Sequence, residues 1–222
     1  MIGLLCGFPV GARMASVLVK RGSIDAEQGA RLAAFTDFGS PLYLIGVLGA
    51  QILGNWRIGF LIYLVQTVLA LGAGIWLGRG KRAVFPALVY RPKVNIPLAF
   101  TDSVMSAAVA SLGICAYITF FSVLVSSFSS FLCRMPNKVS ALFYGFFEMS
   151  GGIHCLKGEK DAIFAATLIV FWSGLSVVLQ IAASLWQDGE NISMKAFFKV
   201  RAVCIPLGGI LVYLICRILH FT

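Results

Sequence analysis

The chain has 222 residues, of which 59% are hydrophobic and only 12% charged, with a mean hydropathy of +0.90. A soluble domain of this length carries about a quarter charged residues to cover its surface, so a water-soluble fold is excluded. The formal net charge of +9 would point to nucleic acid on a soluble protein, but between apolar spans such an excess is what orients a chain in a bilayer. Nucleic acid is therefore not expected as a partner; the lipid bilayer is.

Residues 1–10 are apolar but too short to span, and they run into the helix-breaking sequence Gly7-Phe8-Pro9-Val10-Gly11. Residues 14–35 carry Lys20, Arg21, Asp25, Glu27 and Arg31 and are expected in water or at the interface. A second helix-breaking cluster, Phe35-Thr36-Asp37-Phe38-Gly39-Ser40-Pro41, leads into a short apolar run at 42–53. Two short apolar arms flanking a polar connection predict a re-entrant hairpin, because interrupted backbone is tolerated at membrane depth only inside protein or a wet cavity. Residues 58–78 are free of charge and long enough for a full crossing, with Trp56 and Trp76 as interface anchors.

Arg79, Lys81, Arg82, Arg91 and Lys93 then fall in one stretch without an acid, and the positive-inside rule places the 79–97 loop in the cytoplasm. Residues 98–132 exceed one straight span, and a split near Gly113 gives an amphipathic piece followed by a crossing at 114–132. Residues 139–153 are short and broken, with Glu148 inside them and Gly151-Gly152 just after. Full spans are expected at 163–186 and 202–219, the latter kinked at Pro206. The expected fold is all-α and polytopic, with re-entrant or broken helices. Paired interrupted segments at corresponding places mark the binding region of inverted-repeat transporters.

The stretches GFPVGAR at 7–13, RLAAFTDFGSPLYLIG at 31–46, DSVMSAAVASLGICAYITFFSVL at 102–124 and GFFEMSGGI at 145–153 resemble the sporulation integral membrane proteins of the YlbJ type. These stand within the wider nucleoside-recognition, or Gate-domain, group. The resemblance implies a Gate-like architecture: residues 1–78 as the end of a first repeat, 79–97 as the basic loop, and 98–222 as a second repeat with C-terminal spans. It further implies handling of a small solute during endospore formation at the outer forespore membrane, with dipicolinate as the proposed cargo and nucleosides as another class. Members of the family are longer, so the chain is expected to correspond to a C-terminal part, acting as a homo-oligomer or with a partner that supplies further helices. Two positions depart from the pattern: Asp37 stands where the family has Asn, and Gly39-Ser40 reverses the usual order.

Glu148 is the first candidate for solute or ion binding, since a carboxylate at such depth faces a cavity, an ion path or a partner; a helix cap or a structural ion pair is the plainer alternative. Asp37, with Thr36 and Ser40, offers oxygens to an ion or polar solute, against the alternative of a local turn. Gly7, Pro9 and Gly11 would open the backbone near a helix start that attracts anions, and Arg13 would add a bidentate donor for carboxylates, or simply mark the membrane edge. His154 beside Cys155 does not make a metal site. Neither a cofactor nor a metal is expected, and the chain carries no catalytic motif that would make it an enzyme.

Overall fold

The computed structural model describes residues 2–80, 95–186 and 191–221; most of the expected 79–97 loop therefore lies outside the described residues. The elements in chain order are α1 (Ile2–Cys6), α2 (Val10–Lys20), α3 (Ala26–Thr36), a π-helix (Leu42–Ile52), α4 (Trp56–Gly78), α5 (Ile96–Ser126), α6 (Ser129–Leu132), α7 (Asn137–Phe147), α8 (Met149–His154), α9 (Ile163–Trp172), α10 (Gly174–Leu185) and α11 (Lys195–Ile218). Four stretches, Trp56–Gly78, Ile96–Ser126, Ile163–Leu185 and Lys195–Ile218, are long and apolar enough to cross a bilayer. The protein is an all-α polytopic membrane protein.

Several elements differ from the sequence expectation, each for a physical reason. Residues 14–35 fall in α2, α3 and the turn between them, and both helices pack on the rest of the chain by one face. Asp25 starts α3 with a reciprocal cap, its carboxylate accepting from the Gln28 N–H at 2.7 Å while the Gln28 side chain accepts from the Asp25 N–H at 2.9 Å. The small faces of α2 and α3, with Ala12, Ala15, Ala30, Ala33 and Ala34, are then buried against the rest of the core. The expected split near Gly113 is absent. Pro97 sits in the first turn of α5, where its missing N–H costs nothing, and one helix of 31 residues continues through Gly113. Conversely, the span expected at 163–186 is interrupted: Ser173 and Gly174 are both left-handed, at φ 75° and 83°, and separate α9 from α10.

The short helices pair as hairpins. A methyl group on Gly152 of α8 would stand 2.5 Å from the Gly145 nitrogen and 2.8 Å from the Ala141 carbonyl of α7. Only bare backbone fits there, so α8 folds back along α7. The α1–α2 pair is closed in the same way, with Gly3 against the Gly11 Cα. The apolar 42–53 arm does not pair with α1; it winds as a π-helix with its exit bond running from the Leu53 N–H to the Leu48 carbonyl and packs along α4. Helix α11 packs against α9, α4 and α3 and so reaches both halves of the chain.

Candidate functional site

The interruptions meet one another inside the protein. Gly7, at φ 78°, forms the tip between α1 and α2, and a methyl group there would stand 2.9 Å from the Ser40 nitrogen and 3.3 Å from the Phe38 carbonyl. Glycine is required by both the left-handed turn and the close approach. The expected break at 7–11 ends earlier than its motif: Gly11 already lies in the first turn of α2, against Thr36 and 3.0 Å from Asp37 Oδ1 on the same measure. Asp37 ends α3 and is fully buried, with neither carboxylate oxygen hydrogen-bonded. The N–H groups of Gly11 and Ala12, at the start of α2, face it. Thr36 and Ser40 are spent locally: the Thr36 hydroxyl donates to the Leu32 carbonyl at 2.7 Å, and Ser40 Oγ accepts from the Tyr43 N–H at 3.3 Å.

Glu148 forms the second interruption. Its extended backbone, φ −138° and ψ 116°, ends α7, and its carboxylate caps α8 by accepting from the Ser150 N–H at 2.9 Å and the Gly151 N–H at 2.5 Å. The side chain is buried. The third interruption lies directly against it, since a methyl group on Gly174 would stand 2.9 Å from the Met149 nitrogen and 3.2 Å from the Phe147 carbonyl. Each carboxylate thus faces the N-terminal turn of a helix, and each sits where two interruptions touch.

Three side chains that sequence reasoning passed over lie at these places. Arg201 of α11 is fully buried and donates to the Phe171 carbonyl at 2.5 Å and to the Asp37 carbonyl. Its guanidinium lies 4.0 Å from the Phe38 ring centre and 4.9 Å from that of Phe197. Gln66 of α4 donates to the Gly39 carbonyl at 2.9 Å, and Tyr43 of the π-helix holds a buried hydroxyl, itself without a hydrogen-bond partner, in the neighbourhood of Ser150 and Glu148. Gln66 was visible as a polar residue in an apolar run; Arg201, which follows Lys195 and Lys199 at the edge of the last apolar run, and Tyr43 gave no comparable signal.

Arg13 lies half-buried on α2, its guanidinium donating to the Ser106 carbonyl of α5 at 3.3 Å. Together with Pro9, Tyr117, Gln180 and Ser184 it lines a recess of about 230 Å³ between α2, α5 and α10. Of the sequence candidates, Gly7, Gly11, Thr36, Asp37 and Ser40 are therefore brought together at one meeting point. Pro9 and Arg13 flank it at the recess, and Glu148 belongs to the other point, near which Tyr43 holds its hydroxyl. Among the described residues no cluster of His, Cys, Asp and Glu could hold a metal ion.

No protein-family model matches the chain, and no solved structure does. A distant relative is a protein of Bacillus subtilis (strain 168) named sporulation integral membrane protein YlbJ, 24% identical over 260 aligned positions that cover 99% of this chain. The chain spans 63% of that relative's length.

Proposed function

We propose that the protein is a permease, or a permease-like part of one, that moves a small polar or anionic solute across a membrane during sporulation, with a dipicolinate-type acid as cargo. The single observation that carries this reading is the meeting of interrupted helices around two buried carboxylates, Asp37 and Glu148. Soluble or purely structural membrane helices have no need of such meeting points, whereas carriers place discontinuous helices and their exposed termini at the solute. The named relative supports the sporulation setting.

The order of elements adds to the argument. A short hairpin, an interrupted helix and a long helix occur as α1–α2, α3–π-helix and α4, and again as α7–α8, α9–α10 and α11. Counting crossings from a cytoplasmic 79–97 loop brings the two hairpins in from opposite faces, the arrangement of a Gate-like inverted repeat. Transport would then follow from one unit rocking against the other around Asp37, Glu148 and Tyr43, with Arg13 in its recess receiving the anion.

The test uses the chain reconstituted in liposomes, with uptake of labelled dipicolinate and of a nucleoside compared. Glu148→Gln keeps a capping oxygen for α8 but removes the charge, so it should abolish uptake while leaving the fold intact by circular dichroism. Undiminished uptake by this variant would remove Glu148 from the site. If no solute moves even when the chain is supplied with the additional length its relative has, the protein is a non-transporting subunit instead.

A further inference from the structure

A second cavity, of about 500 Å³, lies away from the meeting points, between the start of α3, the end of α4 and the start of α11. Its wall carries three cations, Arg31, Lys195 and Lys199, with Glu27 as the acid and Leu77 and Ala196 as apolar floor. Lys195 and Lys199 are one turn apart and so share a face of α11. Both are exposed, Arg31 is half-buried, and among the described residues no carboxylate holds any of the three. Glu27 has an interaction of its own. The cavity's depth follows from α4: Leu77 lies between Trp76, which is exposed as an interface anchor, and Arg79, which begins the basic stretch. That is the level of lipid headgroups. The first turn of α11 adds the positive end of a long helix.

From this we infer that the cavity binds the phosphate of an anionic phospholipid, with its phosphodiester between Arg31 and the two lysines and its acyl chains running down along Leu77. A zwitterionic headgroup brings its own cation into a pocket already holding three, whereas an anionic one lowers the pocket's net positive charge. Basic pockets between helix ends on this kind of surface are suited to such headgroups. Asp188 and Glu190 lie in the neighbouring connection, outside the described residues, and the experiment covers their influence because it reads binding directly.

The purified full chain, delipidated in neutral detergent, is titrated with phosphatidylglycerol or phosphatidylcholine and followed by native mass spectrometry. Phosphatidylglycerol should be retained and phosphatidylcholine should not. Removing cations through Arg31→Gln, Lys195→Gln and Lys199→Gln should weaken retention by roughly fivefold per charge, while Lys157→Gln with Lys160→Gln should leave it unchanged. Should the triple variant not fold, Lys195→Gln and Lys199→Gln, both at exposed positions, carry the test singly. Equal retention of the two lipids, or a triple variant that binds as well as the parent, overturns the assignment. Inorganic phosphate that displaces the lipid and raises the melting temperature as strongly would identify a soluble phosphate as the ligand and overturn the lipid reading.

Discussion

Arg201 shows how one buried side chain can be more than a packing defect. A guanidinium has five donors and no acceptor, and here two donors satisfy carbonyls that the interruptions leave without helical partners, at Asp37 and Phe171. The rings of Phe38 and Phe197 replace part of its hydration. Asp37 acts on it through space, since the guanidinium bonds the aspartate's carbonyl and not its carboxylate. Losing either side chain removes part of what offsets the other's burial, and losing the guanidinium also strips the donors from two buried carbonyls, at about 1–3 kcal/mol each. Arg201→Gln and Asp37→Asn should therefore each lower the melting temperature in detergent sharply, and the double variant should lose much less than the two losses combined. Simple additivity would mean that the charges do not depend on one another. Arg201→Lys should not rescue, because a single ammonium cannot reach both carbonyls and stack between two rings.

At the scale of elements, the interruption at Ser173-Gly174 explains why α9 and α10 can accommodate the Glu148 turn. Gly174→Ala adds a left-handed penalty and a methyl group pressed on the Met149 and Phe147 backbone, together about 2–4 kcal/mol. Gly22 is the natural control: it is left-handed too, at φ 65°, but has nothing within 4 Å of the added carbon. Gly22→Ala should cost only about 1–2 kcal/mol, and equal losses in a thermal melt would show that the two interruptions do not press on each other. This pair also marks what the sequence could reveal. Proline and glycine clusters announced the breaks at 7–9 and 36–41, and the lone carboxylate announced the one at 148. The Ser173-Gly174 break sits in an unbroken apolar run, where hydropathy is silent and only a dipeptide hints at a turn. Likewise the side-chain links across the site, Arg201 to the Asp37 carbonyl and Gln66 to the Gly39 carbonyl, join residues far apart in the chain, and no local pattern encodes such pairs.

For the whole molecule the decisive quantity is length against bilayer thickness. Helix α7 is 11 residues and α8 is 6, so they measure about 16 Å and about 9 Å, and neither crosses a hydrocarbon core of about 30 Å. Because Gly152 lies on Gly145, the two lengths do not add: α8 retraces α7, and the connection after it returns to the face from which α7 started. Helix α5, at 31 residues, does cross, and it separates that face from Arg79 at the end of α4. In a background with all six cysteines replaced, Arg79→Cys and Lys160→Cys should thus react with a membrane-impermeant maleimide from opposite sides of sealed vesicles. A collinear α7–α8 crossing would instead bring both positions to one side, and labelling from a single side would rule out the re-entrant hairpin. The inverted arrangement, and the alternating access drawn from it, would go with it, since two hairpins can enter from opposite faces only if this one turns back.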